Sequence, residues 1–290
     1  GEMAILSRAG VVLRDLEGGT VTIAPQEVEW SPEMAEKGGY SHFMLKEIYE
    51  QPRCVQETMA GRISLESGRV ELEDANIPGS VLETIDRIHI VACGTSWHAG
   101  LVGKFLIEDL ARIPVEIDYG SEFRYRDPLV DARTLVIAIS QSGETADTLA
   151  AVREARMKKA RILSVCNVVG SMLSRESHGT LYIRSGPEIG VASTKAFTCQ
   201  LMVLLLVALY LAQQRNRILP QQTIALLPDL AGLPQCLERL LARSEACREI
   251  AGAICGRTNA LYLGRGIHYP IALEGALKLK EISYMHAEGY

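Results

Sequence analysis

From Arg87 onward the chain alternates apolar, β-branched runs with helical segments, and few folds accommodate that alternation. The strand-like runs are apolar on both faces, as in parallel strands that helices cover from both sides. They lie at Ile88–Ala92, Val115–Ile117, Leu135–Ile139, Ile162–Val165 and Leu181–Ile183. Helical patterns follow at about Ser96–Leu110, Ala146–Lys158 and Lys195–Gln214. The sequence therefore predicts an α/β fold, a doubly wound parallel sheet with helices on both faces.

The flanking segments differ from this unit. Residues 1–30 predict a β-rich tail of three short strands, the last at Val21–Ile23, without a core of their own. Ser31 and Pro32 predict a helix start, and helical patterning continues to Gln51, where Pro52 is expected to break it before a second helix to Gly61. We expect a helical linker at 31–80, the α/β domain at 81–219 and a helical bridge at 220–256. Residues 257–290 repeat the strand–turn–helix order and predict the start of a second such domain, so the chain is expected to be a segment of a longer polypeptide, cut at both ends.

Composition excludes several classes of partner. Lys and Arg number 30 against 35 Asp and Glu, a net charge of -5 that argues against nucleic acid. The longest apolar run, Leu201–Ala212, is too short to span a membrane and predicts a buried helix. The seven cysteines form no CxxC pair, which predicts reduced thiols in a cytoplasmic protein. Residues 1–30 show no basic segment followed by an apolar stretch, so no secretory signal is expected.

Hydroxyl-rich loops follow two of the predicted strands. Ser140, Gln141, Ser142 and Thr145 lie where a buried strand gives way to a helix, and Thr95 and Ser96 follow the first strand. Hydroxyl donors at a helix N-terminus attract an anion, so these loops predict a phosphate site. A cluster of helix N-caps is the alternative for one loop alone, but two such loops at the switch point of the sheet favour a ligand.

Two further segments are ambiguous by pattern. Considered alone, the loop Glu188–Lys195 predicts a helix cap in which Lys195 is a solvated charge. Considered together with the two hydroxyl-rich loops, it predicts a contact with a sugar. Glu274, Lys278 and Glu281 share one stripe of a predicted helix, with Ile282 able to turn toward a core. An exposed ion-pair stripe is one interpretation, and a general base beside a lysine is the other.

No metal or nicotinamide site is predicted. The histidines are scattered, and Gly264-Arg265-Gly266 begins a dinucleotide fingerprint whose third glycine position is Tyr269.

Four runs resemble the sugar isomerase (SIS) domains of the glutamine:fructose-6-phosphate aminotransferase, or glucosamine-6-phosphate synthase, family. They are CGTS at 93–96, SQSGETADT at 140–148, EIGVASTKAF at 188–197 and ALEGALKLKEISY at 272–284, and HFMLKEIYEQP at 42–52 resembles the family's entry into its isomerase part. The resemblance implies conversion of fructose 6-phosphate to glucosamine 6-phosphate for amino sugar synthesis. It also implies a glutaminase domain as the ammonia source, whose final strands residues 1–30 resemble, a homodimer, and no cofactor.

Site roles follow from the resemblance by position. It implies a phosphate site made of Thr95, Ser96, Ser140, Gln141, Ser142 and Thr145, with Val191 and Ser193 along the sugar. Glu281 would move a proton between C1 and C2, assisted by Glu274 and Lys278. Trp97 departs from the tyrosine often found there, and the glutaminase nucleophile, a ring-opening histidine and a Schiff-base lysine of the family fall outside the chain.

Two alternatives to this enzyme remain on the same fold. One is a SIS-type module that binds a phosphosugar and signals its level without catalysis, and the other is a deglycase or a different isomerase. Glu281 and Lys278 on one stripe favour an enzyme over a sensor, since a sensor needs no proton-transfer group. The glutaminase-like tail argues against the second alternative.

Overall fold

A computed structural model describes residues 2–22 and 36–290. Three antiparallel strands come first, β1 (Glu2–Ser7), β2 (Gly10–Asp15) and β3 (Thr20–Val21). Their side chains are mostly exposed, as expected for strands without a core of their own. The predicted helix start at Ser31 and Pro32, and the predicted strand end at Ile23, lie outside the described residues.

The predicted break at Pro52 is wrong, because helix α1 (Phe43–Met59) continues past this residue. Proline at this position removes the N–H that would bond to the carbonyl of Ile48. The side-chain amide of Gln51 donates to that carbonyl instead, at 2.9 Å. Cys54 and Val55 are buried on the same helix, so packing favours continuation over a break. The two helices expected up to Gly61 are therefore one.

A five-stranded parallel sheet forms the centre of the protein and confirms the predicted fold class. After a 3₁₀ turn (Glu73–Ala75) and α2 (Gly79–Thr84), its strands are β4 (Arg87–Ala92), β5 (Val115–Tyr119), β6 (Thr134–Ser140), β7 (Arg161–Cys166) and β8 (Gly179–Tyr182). The helices between and after them are α3 (Gly94–Leu110), α4 (Gly120–Tyr125), α5 (Ala146–Met157), α6 (Met172–Glu176) and α7 (Lys195–Gln214). The strand order is β5-β4-β6-β7-β8, so the chain reverses direction across the sheet between β4 and β6. In such a fold, ligands bind at this switch point, outside the carboxyl ends of the strands.

The two faces of the sheet have separate cores. On β6, Leu135, Ile137 and Ile139 face the core formed with α1, α3 and α7, whereas Val136 and Ala138 face the core formed with α4 and α5. This period of two, apolar on both sides, is the pattern expected of a covered parallel strand. The register is thereby fixed, because a shift by one residue would exchange the two faces.

Helix α7 is the long apolar helix of the fold. It alone among the helices of the described residues is long and apolar enough to cross a membrane, and 67% of its most apolar window is buried inside the protein. It packs against α1 and α3. These contacts support the prediction of a buried core helix.

The last quarter of the chain begins with two helices, α8 (Pro220–Leu241) and α9 (Ser244–Ile254), which lie within the segment 220–256. The assignment of that segment as a bridge between domains stays a prediction. Strand β9 (Asn259–Tyr262) and helix α10 (His268–Ser283) follow as predicted. Strand β10 (His286–Gly289), which pairs parallel to β9, was not predicted from the sequence. Helix α10 packs against α3. That contact places its polar stripe beside the switch point.

Candidate functional site

The loop after β6 is held in shape by its own hydroxyls. Ser140, buried at the end of the strand, accepts the Gly143 N–H at 3.1 Å and bonds to the Thr145 hydroxyl at 2.9 Å. Gly143 has φ +68°, and a Cβ there would lie 2.2 Å from the Ser171 hydroxyl, so both backbone and space require glycine. Ser142 accepts the Glu144 N–H, and Thr145 directly precedes α5. These hydrogen bonds keep the hydroxyls of the loop together at the N-terminus of α5.

The loop after β4 is shorter than predicted, because α3 already begins at Gly94. Thr95 and Ser96 therefore lie in the first helical turn. Ser96 is buried, and its oxygen accepts a hydrogen bond of 3.0 Å from the side-chain amide of Gln200 on α7. A hydroxyl that accepts this bond keeps its own proton free to donate to a ligand oxygen.

These loops enclose one cavity of about 220 Å³ at the switch point. Its lining combines hydroxyls, one amide, one thiol and one apolar side chain: Cys93, Thr95, Ser96, Ile139, Ser140, Gln141, Ser142, Thr145 and Ser193. Seven of the eight substrate-binding residues predicted from the sequence are therefore brought together. No Lys or Arg is among the lining residues, all of which the structure describes, so an anion in this cavity would meet hydroxyls and helix N-termini rather than a cationic side chain.

Val191 is the eighth of these residues, and it does not line the cavity. Its side chain is fully exposed on the loop before α7. Its predicted contact with the sugar stays a prediction.

Two carboxylates, of half-buried Glu188 and buried Glu47, hold the loop before α7 in place. Glu188 accepts the N–H groups of Thr194 at 2.8 Å and Ala196 at 3.2 Å, and the hydroxyl of Ser193 at 2.9 Å. Burial raises the pKa of Glu188, against the effect of these three bonds. Glu47 on α1 accepts the N–H groups of Ile189 and Gly190. Helix α1 therefore fixes the loop that carries Ser193 to the cavity.

The prediction that Lys195 is a solvated surface charge, made from the loop Glu188–Lys195 taken alone, is wrong. Its side chain is not a solvated charge but is 1% exposed. Its ammonium lies 2.6 Å from a carboxylate oxygen of Glu50 on α1. A buried lysine needs such a partner because desolvation disfavours its charge.

The polar stripe of α10 meets the rim of the cavity at Thr95. The Thr95 hydroxyl donates to Glu274 at 3.0 Å, and Lys278 donates to Thr95 at 3.1 Å. The Lys278 ammonium lies 3.3 Å from Glu274 and 2.5 Å from Glu281. Glu274 is buried, so the interpretation of this stripe as a solvated face is wrong for that residue, whereas Ile282, which could turn toward a core, is 53% exposed.

His98 is a member of this cluster that sequence reasoning missed. Its Nδ1 lies 2.7 Å from the second oxygen of Glu274. The sequence carried a usable signal, because His98 is three residues after Thr95 and so shares its face of α3. Its partner is 176 residues away along the chain, and only the fold brings the two together.

A larger cavity lies elsewhere in the described residues. It has a volume of about 650 Å³ and lies between residues 69–78 and the junction of α7 and α8. None of the predicted site residues lines it. Among the described residues, no group of three or more His, Cys, Asp or Glu side chains is placed to hold a metal ion.

Comparisons with known proteins agree with this geometry. The family model "SIS domain" matches residues 82–210, which cover the central sheet and most of α7. The C-terminal domain of glucosamine-fructose-6-phosphate aminotransferase from Francisella tularensis is 42% identical with a TM-score of 0.83, over 88% of this chain and 71% of that one. This chain belongs to the glutamine–fructose-6-phosphate aminotransferase family, in its SIS-domain part.

Two curated relatives extend the similarity over the whole chain. Both carry the name glutamine–fructose-6-phosphate aminotransferase (isomerizing). The one from Chlorobaculum tepidum is 52% identical over 291 residues, and the one from Symbiobacterium thermophilum is 50% identical over 290. The chain spans 47% and 48% of their lengths, about half of each relative.

Proposed function

We propose that the cavity binds fructose 6-phosphate and that the α10 stripe beside it converts the sugar, with ammonia, to glucosamine 6-phosphate. The observation that carries the proposal is the position of Thr95. This residue lines the cavity and also bonds to both Glu274 and Lys278, so an anion site and a proton-transfer cluster share one side chain. The names of the relatives specify the same sugar phosphate, and glutamine as the nitrogen donor.

The phosphate is held by neutral donors. Ser96, Ser142 and Thr145 direct hydroxyls into the cavity, and the N-termini of α3 and α5 add their partial positive charge. Ser193 and Val191 are assigned to the sugar. Hydrogen bonds to a charged phosphate are stronger than those to a neutral hydroxyl, so the phosphate provides most of the affinity.

The chemistry is an amination followed by a proton shift. Ammonia adds at the C2 carbonyl and water leaves, which gives an imine at C2. The carboxylate of Glu281 takes a proton from C1 and delivers it to C2, and the proton of the C1 hydroxyl passes to the imine nitrogen. C1 thereby becomes the aldehyde and C2 carries the amine. Lys278 lies against Glu281 and supplies a positive charge next to the carboxylate, and Glu274 holds Lys278.

An enzyme is favoured over a phosphosugar sensor on the same fold. A sensor would use the hydroxyl loops alone, whereas here a lysine bonded to two carboxylates contacts the rim of the cavity.

The wider assignments are part of the same proposal. We assign residues 81–219 to a first SIS unit, 220–256 to a bridge and 257–290 to a second unit, in a cytoplasmic homodimer. A glutaminase domain is the proposed source of ammonia. The seven cysteines, each a free thiol, support a reducing compartment.

Calorimetry on the 290-residue chain tests the binding site. We expect fructose 6-phosphate and glucosamine 6-phosphate to bind, and fructose and glucosamine to bind far more weakly. Equal affinity for fructose and its phosphate would refute the phosphate site. Turnover is measured in a chimera in which this chain replaces the aligned 291-residue segment of the Chlorobaculum tepidum relative, with glutamine or ammonium as the nitrogen source.

A further inference from the structure

His98 is the one member of the α10–α3 cluster that has no role in the mechanism above. Its side chain is 11% exposed, and its Nδ1 lies 2.7 Å from Glu274 Oε2. Its ring also meets the edge of the Trp97 ring, with centroids 5.7 Å apart. We propose that His98 is a positioning residue: by occupying one oxygen of Glu274, it keeps the Lys278 ammonium against Glu281. The inference rests on the proposed function and adds to it a residue that does not touch the substrate.

The two oxygens of Glu274 have different partners. Oε1 accepts the Thr95 hydroxyl at 3.0 Å and lies 3.3 Å from the Lys278 ammonium. Oε2 has His98 as its hydrogen-bond donor. A carboxylate only accepts hydrogen bonds, so Nδ1 of His98 carries the proton in this contact. A buried carboxylate needs all three donors, because none of them is readily replaced by water.

Lys278 is shared between two carboxylates, and the sharing is unequal. Its ammonium is 2.5 Å from Glu281 and 3.3 Å from Glu274. If His98 lost its N–H, Glu274 Oε2 would be a buried acceptor without a donor. Lys278 is the nearest cation, and it would move toward Glu274 and away from Glu281. His98 thereby sets the position of the charge that faces the proposed base.

Two substitutions separate the hydrogen bond from packing. His98→Phe keeps a ring but removes the donor, whereas His98→Asn can place an amide N–H near the position of Nδ1. In the chimera we expect kcat of His98→Phe to fall by about 10- to 100-fold, as for a small displacement of a reacting group. KM should change little, because no contact with substrate is removed. His98→Asn should recover most of the lost kcat, and His268→Phe, an exposed position, is the control.

A spectroscopic measurement on the unsubstituted chain supports or refutes the contact directly. Nitrogen-15 spectra of labelled histidine distinguish protonated from bare Nδ1, and we expect a proton on Nδ1 of His98. A bare Nδ1, a normal kcat in His98→Phe, or equal losses in the Phe and Asn variants would overturn the inference. Failure of the proposed function is seen separately, as an unsubstituted chimera without turnover or an unsubstituted chain that does not distinguish fructose 6-phosphate from fructose.

Discussion

Ser140 and Ser142 are neighbours in the loop after β6, and their replacement by alanine should have different consequences. Ser142 is half-buried, and its oxygen accepts only the exposed Glu144 N–H. Water can replace that bond, so Ser142→Ala should change the free energy of unfolding by no more than about 0.5 kcal/mol. Its hydroxyl faces the proposed phosphate, and a lost bond to a charged group weakens binding by about 1.5–3 kcal/mol. Fructose 6-phosphate affinity should therefore fall roughly 10- to 100-fold.

Ser140→Ala should affect both folding and binding. Ser140 is 3% exposed and is the acceptor for the buried Gly143 N–H. The unpaired N–H costs about 1–3 kcal/mol of folding stability. Fructose 6-phosphate binding should also weaken, since Thr145 loses its partner.

Urea unfolding and calorimetry on the same preparations give both quantities for each variant. Thr84→Ala removes an exposed hydroxyl on α2, away from the cavity, and should change neither. If Ser142→Ala bound fructose 6-phosphate as tightly as the unsubstituted chain, the assignment of this loop to the phosphate would be wrong. If Ser140→Ala were as stable as the unsubstituted chain, the loop would not depend on the hydrogen bonds described above.

Three further outcomes are expected. Gly143→Ala should destabilise the fold by about 2–5 kcal/mol in urea unfolding, from its left-handed backbone and the close Ser171 hydroxyl; a loss below about 1 kcal/mol would contradict the tight packing. Lys195→Met should lower the free energy of unfolding by about 3 kcal/mol, because Glu50 loses a buried partner. Lys158→Met, whose partner Asp127 is exposed, should lower it by less than about 1 kcal/mol, and equal losses would contradict the burial of the Lys195–Glu50 pair. Burial raises the pKa of Glu188 above its ordinary 4.5, so its contribution to stability is complete below pH 4.5 and is lost as the pH rises through the raised value. In urea unfolding, the stability of Glu188→Gln relative to the unsubstituted chain should therefore increase as the pH rises from 4.5. A stability difference that does not change with pH would refute the raised pKa of Glu188.

The parts of the fold that could be predicted are those that depend on residue patterns within a short stretch of sequence. The period of two in β6 and the hydroxyls after β4 and β6 are visible within a few residues, and the sheet and the cavity follow from them. The errors concern residues whose environment is decided by a side-chain hydrogen bond or by packing that the local pattern does not show. Pro52 stays helical because Gln51 and the packing around Cys54 compensate for its missing N–H.

The environments of Lys195 and Glu274 could not be predicted from the sequence. Lys195 pairs with Glu50, 145 residues earlier, and Glu274 is buried by contacts with Thr95 and His98 on another helix. Spacing along α10 shows that Glu274 and Lys278 lie on one stripe. It does not show whether that stripe faces water or another helix, and tertiary packing decides that question.

The function of Glu281 is tested most directly by replacing its carboxylate with an amide of the same shape in the chimera. Glu281→Gln should lower isomerisation by roughly 10²–10⁴-fold, the usual contribution of a positioned base. Fructose 6-phosphate should still bind to the 290-residue Glu281→Gln chain within about threefold of the unsubstituted affinity, because the phosphate site is untouched. The matched variant Glu249→Gln, on exposed α9, should be fully active. Near-normal turnover by Glu281→Gln would contradict the assignment of this residue as the base and would leave only an ion pair between Glu281 and Lys278.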